Sequence, residues 1–253
     1  MNNFLKGQPI DVLMLTYNRL ECVSYSISSL LQNTLHPMNV IIVDNASTDG
    51  TREYLIALKE KGLIQELILN DTNLGIAAAK NQGIEKFKWQ EDFCIITDSD
   101  IAFPKMKPDW ITILNETMVR HPRLGMLAPD CDEINKNVEE DQWWWDKRQF
   151  KKDDLAIIPV GFWGTMVSKE IVDAIKEKNQ GELFKCRSLY GETDEQFRNS
   201  MQSIGYWVGV CLKIKTYNLG WDDKYKFPKY WMWKKQQRWI AEEARRAEEK
   251  NGK

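Results

Sequence analysis

The sequence predicts an α/β fold in which helices flank a mostly parallel sheet. Two observations carry this expectation. Between residues 10 and 100, short runs rich in β-branched and aliphatic residues alternate with stretches of helical periodicity, and each run ends in a cluster of polar residues. Parallel strands need a crossover between them, and the helical stretches supply it. At 253 residues the chain fits one large domain, or one domain with a short appendage, and can bury most of the surface its unfolded form exposes.

The strand candidates of this first stretch are residues 11–15, 40–43, 63–69 and 93–97. Between them, 20–31 carries apolar residues at helical spacing, 48–58 opens with a Ser-Thr-Asp capping cluster in which Asp49 is the cap, and 75–87 is alanine-rich. The polar ends are Thr16-Tyr17-Asn18, Asp44-Asn45, Asn70-Asp71 and Asp98-Ser99-Asp100. Open parallel sheets bind ligands outside the carboxyl ends of their strands, so these clusters are expected to converge.

Beyond Pro104 the pattern gives a helix over 108–121, a strand over 124–127 and a polar stretch over 130–154 that contains Trp143-Trp144-Trp145. Neighbouring side chains point in different directions in either regular structure, so three adjacent indoles cannot all be buried on one face. The stretch reads as a functional or disordered loop. A strand-like run over 155–160 leads into Gly161-Phe162-Trp163-Gly164, a helix starts at Ser168, another covers 192–204, and 206–217 reads as a strand. Residues 228–253 form a charged helical tail in which Trp233, Gln237, Ile240, Ala244 and Ala247 share a face. That face suits packing on the body of the protein, on a partner or peripherally on an anionic membrane surface; the glutamates at 242, 243, 248 and 249 weigh against the membrane.

Composition narrows the function. Lys plus Arg number 35 against 37 for Asp plus Glu, a net charge of -2, so nothing draws the chain to nucleic acid. No run of roughly 18 apolar residues occurs, as a spanning helix requires. The cysteines at 22, 94, 131, 186 and 211 form no C-x-x-C pair and read as reduced thiols of a cytoplasmic protein. His36 and His121 each precede a proline near a helix end and read as structural.

The chemistry concentrates at Asp98-Ser99-Asp100, which follows the buried-strand pattern Cys94-Ile95-Ile96-Thr97. Two carboxylates emerging together offer hard oxygens to Mn²⁺ or Mg²⁺, cations that bind through one or two carboxylates plus substrate phosphates. On its own, an acid pair of this kind equally suits a helix cap.

Its context distinguishes it. Leu15-Thr16-Tyr17-Asn18-Arg19, then residues 41–51 with Asp44-Asn45-Ala46-Ser47-Thr48-Asp49-Gly50, then Asn73-Leu74-Gly75-Ile76-Ala77-Ala78-Ala79-Lys80-Asn81-Gln82-Gly83, and then the D-S-D resemble, in order, the family-2 glycosyltransferases of the GT-A fold. The resemblance is strong over 10–104 and looser over 155–221. It implies a GT-A domain over 1–227, with a nucleotide-sugar-binding half at 10–104 and an acceptor-binding half at 105–227, followed by the tail. It implies transfer, with inversion, from a UDP-, GDP- or dTDP-linked sugar to a glycan or glycoconjugate acceptor. Thr16, Tyr17, Asn18, Arg19, Asp44, Asn73, Gly75, Lys80, Asp98 and Ser99 would bind the donor, with Asp44 on the base, and Asp100 would be the main metal ligand beside Asp98.

Downstream, Gly191-Glu192-Thr193-Asp194-Glu195-Gln196-Phe197 resembles the family's helix that carries the catalytic base, and it falls on Asp194, with Thr193 where glutamate is usual. Glu192 and Glu195 remain alternative bases, and acids are also common in a helix's first turn. Asn218 stands where many relatives have a metal-binding histidine. Phe162, Trp163, Gly164 and Thr165 suit an acceptor platform or core packing. No G-x-G-x-x-G or Walker loop is present, which removes dehydrogenases and P-loop kinases. A nucleotidyltransferase, or a non-catalytic sugar- or nucleotide-binding module of the same fold, remains as an alternative.

Overall fold

The computed structural model describes residues 7–131, 150–152, 154–157, 160–185 and 193–219. In chain order the elements are β1 (Ile10–Thr16), α1 (Leu20–Asn33), β2 (Met38–Asp44), α2 (Thr51–Glu60), β3 (Glu66–Leu69), α3 (Ile76–Ile84), β4 (Phe93–Asp98), β5 (Ile101–Ala102), α4 (Trp110–Arg120), β6 (Leu124–Cys131), β7 (Phe150–Lys152), β8 (Leu155–Ile157), β9 (Trp163–Ser168), α5 (Lys169–Lys178), α6 (Thr193–Gln202) and β10 (Trp207–Asn218). The strands order as β3-β2-β1-β4-β9-β6-β10-β8-β7, with β5 beside β10.

The half built from β1 to β4 is parallel throughout. Its central strand, β1, is buried along its whole length, so it reads as a continuous apolar run instead of an alternating one. Val12 and Met14 face a core layer with Val23, Ile27 and Leu55 of the first two helices, while Leu13 and Leu15 face a second layer with Ala77, Ala79 and Ile84 of α3. The close seat of α3 depends on Gly83, where an added Cβ would come 2.2 Å from Leu13 Cδ1 and 3.1 Å from Val43 Cγ2.

Antiparallel pairing enters with β9, which lies between β4 and β6 and runs against both. The sequence predicts no strand over 163–168, between the 155–160 run and the helix from Ser168. Gly164 has φ +85, and an added Cβ would lie 2.7 Å from Phe103 Cε1, so the glycine serves a close approach within the sheet. The third strand starts at Glu66, later than the apolar run suggested. Asp130 to Asp154 contains β7, and most of that stretch, Trp143, Trp144 and Trp145 included, lies outside the described residues, as does the 228–253 tail.

One carboxylate ties two helix starts together. Asp49 accepts from the Leu20 N–H at the head of α1 (2.9 Å) through one oxygen, and from the Thr51 N–H (3.1 Å) and hydroxyl (2.6 Å) at the head of α2 through the other. Burial pushes its pKa up, but the hydrogen bonds from Thr51, Leu20 and Arg19 outweigh that and hold it below the ordinary value. Asp49→Ala is expected to cost about 1–2 kcal/mol of stability. Because the folded pKa is depressed, this contribution is full above the unfolded value of about 3.9 and is lost as pH falls from there through the lower folded value. Urea melts of wild type and variant should therefore differ at neutral pH and converge in acid; a gap independent of pH would overturn the capping account.

Candidate functional site

Three parallel strands deliver the site. In register, Thr16 of β1 lies opposite Asp44 of β2, and Leu15 opposite Asp98 of β4, so the residues that follow leave the sheet at one edge. The turn after β1 passes through the left-handed region at Asn18 (φ 54) and Arg19 (φ 75), and the turn after β2 does so at Ala46 (φ 71). Residues with a Cβ hold such angles only where their surroundings over-determine them. Here Asn18 N–H donates to Ser47 Oγ at 2.7 Å, and Asn18 Oδ1 accepts from Thr48 N–H at 2.8 Å. Asn18, expected on the donor, thus spends its carboxamide oxygen on joining the two turns. Thr16 is fully buried beneath them and Tyr17 is partly buried.

An amide network fixes the entry to α3. Asn45 Nδ2 donates to Asn73 Oδ1 at 2.7 Å, while Asn45 Oδ1 accepts from Asn70 Nδ2 at 3.1 Å and from Leu74 N–H at 3.0 Å. Asn73 Oδ1 also accepts from Gly75 N–H at 2.9 Å. Gly75, at φ 80 and ψ 167, holds a backbone conformation that favours glycine.

Asp44 is fully buried. Burial pushes its pKa up, against the lowering effect of hydrogen bonds from Ser47 and the charge of Arg52, whose Nη1 lies 4.0 Å from Oδ2. Oδ1 of Asp44 has no hydrogen-bond partner among the described residues. Arg52, which the sequence reading did not single out, also donates to the Asn70 carbonyl at 2.9 Å and so braces the ends of β2 and β3.

The D-S-D segment is held by backbone on both sides. Asp98 N–H donates to the Phe162 carbonyl at 2.7 Å, and the Asp100 carbonyl accepts from Leu219 N–H at 2.7 Å. Asn218 pairs with Ile101 across β10 and β5, which places its backbone beside the segment. Arg19 Nη1 lies 3.3 Å from Asp100 Oδ2. Ser99 is fully buried, and its hydroxyl has no hydrogen-bond partner among the described residues.

Opposite stands α6. Asp194 near its start presents Oδ2 toward Gly161, where an added Cβ would lie 2.5 Å from that oxygen, and Oδ1 toward Lys80. Lys80 of α3 has only 2% of its side chain exposed; its Nζ lies 3.6 Å from Asp98 Oδ1 and 3.8 Å from Asp194 Oδ1. The same nitrogen sits 4.3 Å from the centroid of Phe162 and 5.8 Å from that of Phe184. Among the base candidates, Asp194 thus joins the cluster, Glu195 is exposed, and Glu192 lies outside the described residues. Loss of hydration raises the Asp98 pKa to about 6; Lys80 opposes the rise, Asp194 and Asp100 add to it, and Arg19 opposes it. That holds although 45% of the Asp98 side chain meets solvent, because neighbouring protein takes up much of the water around its carboxyl group.

The residues expected as an acceptor platform do not form an open face. Phe162 is fully buried, packed against Phe184 and Phe197, and Thr165 is fully buried with its hydroxyl donating to the Gly161 carbonyl at 2.7 Å. Trp163 is partly buried and donates from Nε1 to the Pro129 carbonyl at 2.8 Å, and Gly164 packs on Phe103. These side chains build β9 into the core, the alternative that the sequence had left open.

Among the described residues no set of three or more His, Cys, Asp and Glu side chains forms a metal cage. The donor set nevertheless fits a hard divalent cation that relies on substrate phosphates: two carboxylates flank Ser99, and Asp98 already feels repulsion from Asp100 and Asp194. Among the described residues no helix is long and apolar enough to cross a membrane.

Comparison with known proteins agrees with this geometry. The family model described as glycosyl transferase family 2 matches residues 11–175. An uncharacterized glycosyltransferase of Haemophilus influenzae is 33% identical over 112 residues, covering 44% of each chain. An N-acetylglucosaminyl-diphospho-decaprenol L-rhamnosyltransferase of Mycobacterium tuberculosis is 28% identical over 129 residues, 47% of this chain and 40% of that protein. The match thus spans less than half the length of these relatives. In fold, the mannosyltransferase PcManGT of Pyrobaculum calidifontis, solved with GDP-Man and Mn²⁺, superposes with a TM-score of 0.59 at 19% identity, over 83% of this chain and 56% of that one. S. aureus TarS 1-349 in complex with UDP-GlcNAc gives 0.58 at 15% identity, over 83% and 58%. The sheet flanked by helices is that of the GT-A glycosyltransferases, and with its matched segment reaching from β1 into α5 the chain belongs to glycosyl transferase family 2.

Proposed function

We propose that the protein transfers a sugar, with inversion, from a nucleoside diphosphate to an acceptor hydroxyl in the synthesis of a polysaccharide or glycoconjugate. The observation that carries this reading is the approach of Asp194, from the second half of the chain, to Asp98 at the end of β4, with one ammonium between them. Inversion needs one displacement: the acceptor oxygen bonds to the anomeric carbon while the bond from that carbon to the diphosphate oxygen breaks. Asp194 takes the acceptor proton as this happens, and the nucleoside diphosphate leaves with the bonding pair. Asp98 faces the sugar and ribose. Asp98 and Asp100, with Asn218 beside them, would hold Mn²⁺ or Mg²⁺, which supplies charge stabilisation for the departing diphosphate.

Asp44 suits the base. Its Oδ1 is a buried acceptor lacking a donor among the described residues, and a ring N–H would provide one. Uracil, thymine and guanine each carry such an N–H, consistent with UDP-, dTDP- or GDP-sugars. The solved neighbours that carry UDP-GlcNAc and GDP-Man support the same donor classes.

The donor, the metal and the base are each open to test. In a panel of UDP-, GDP- and dTDP-sugars with Mn²⁺, one nucleoside class should raise the melting temperature and release nucleoside diphosphate slowly in the absence of acceptor. Binding without release would mark a non-catalytic module. Asp100→Ala should abolish transfer and the metal-dependent part of donor affinity while the protein melts as before; full activity in EDTA would end the metal reading. Asp194→Asn should lower turnover by roughly 10² to 10⁴ with donor affinity almost unchanged, because a positioned general base contributes on that scale. A product retaining the donor's anomeric configuration by NMR would rule out the single displacement.

A further inference from the structure

Lys80 presents a problem the donor-binding role does not solve. Its side chain is 2% exposed, on a helix face otherwise made of Ala77, Ala79, Gly83 and Ile84. Burying an ammonium is strongly unfavourable unless it is compensated, so a lysine there needs partners that make up for its lost hydration. The ring faces of Phe162 and Phe184 give one part of the compensation, at 4.3 and 5.8 Å. The carboxylates of Asp98 and Asp194, at 3.6 and 3.8 Å, give the other. The charge is thus fixed from behind by aromatic walls, and in front it draws together two carboxylates from elements far apart in sequence, β4 and α6.

We propose that Lys80 is a positioning residue that sets the distance between the donor-side carboxylate Asp98 and the base Asp194, acting on turnover through Asp194. The inference rests on the reading of Asp194 as base. Without the ammonium, the two like charges repel, and Asp194 keeps its contact with Gly161, a 3.4 Å bond from the Thr193 hydroxyl and the attraction of Arg198 on its own helix. A base displaced by about 1 Å loses on the order of a hundredfold in rate, because the attack geometry tolerates little error. The charges that act on Asp98 are Lys80, Asp194 of α6, Asp100 of the D-S-D segment and Arg19 of the first turn, and Arg198 of α6 acts on Asp194.

The test is a double-mutant cycle read by donor hydrolysis, with water as acceptor and UDP-GlcNAc, GDP-mannose and a dTDP-sugar with Mn²⁺ as probes. Lys80→Met should lower kcat by roughly ten- to a hundredfold and change the donor KM by less than about threefold, and Lys80→Arg should recover most of the loss. In the Asp194→Asn background, Lys80→Met should cost less than about threefold, since the group it positions is already inactive. Lys80→Gln, polar but uncharged, gives the same comparison if the methionine variant unfolds below the assay temperature. Equal losses in both backgrounds, or a raised KM at unchanged kcat, would overturn the positioning role and return Lys80 to direct donor binding. If Asp194→Asn alone leaves hydrolysis intact, the base assignment fails and the inference fails with it, a result distinct from additivity on an active base.

Discussion

Because β1 pairs in parallel with both β2 and β4, their polar ends are forced to one edge of the sheet. Side chains from residues 16, 44 and 98 would otherwise have no reason to meet. The register is itself specified by burial: β1 is enclosed on both faces, and a slip by one residue would exchange the layers facing the first two helices and α3. Gly83 then sets how near α3 can come to this strand, and with it how far Lys80 reaches under the end of β4. The site's geometry is thus decided in the core, by strand register and by the absence of one methyl group, before any functional side chain is considered.

What the core delivers is a crowd of charge that only partly balances. Asp98, Asp100 and Asp194 face Lys80 and Arg19, with the Arg19–Asp100 contact at 3.3 Å. Like-charged carboxylates at such spacing would spread apart if the chain allowed it, and each is instead fastened through its backbone or its helix. Such an arrangement does little for stability, since buried ion pairs roughly break even against apolar packing, but it fixes distances. The raised pKa of Asp98 records the residual imbalance: removal from water and two neighbouring carboxylates outweigh two cations.

The first half of the fold was legible because its signals are local. Apolar runs, helical periodicity and strand-end polar clusters each span fewer than about fifteen residues, the scale on which periodicity speaks. The strand β9 was not legible, because the glycines at 161 and 164, which admit Asp194 and Phe103 against the backbone, answer a tertiary demand. For the same reason the sequence could not choose between platform and core for Phe162, which proves to be core. Asn18 shows a contact that no local pattern announces: its oxygen closes a bond to the neighbouring turn, thirty residues away in sequence. Lys80 did carry a usable signal. It occupies the apolar stripe of α3, between Ala77 and Ile84, and a charge at such a position implies a buried partner even before the partner is known.

The strand that the sequence hid is also what joins the two halves of the site. The Phe162 carbonyl at its start receives the Asp98 N–H, and the Phe162 ring packs against Phe197 of α6 and beneath the Lys80 ammonium. Two residues earlier the Val160 carbonyl receives Arg198 of α6 at 2.7 Å, and between them Gly161 lies against Asp194. Over three consecutive residues the chain therefore meets the backbone of Asp98, the base candidate and the cation beside them. A shift of this short segment would move all of them together, which preserves their spacing, whereas separate loops would let each drift alone. That segment leads directly into β9, the antiparallel strand between β4 and β6, so the separation of Asp98 and Asp194 is braced by the core.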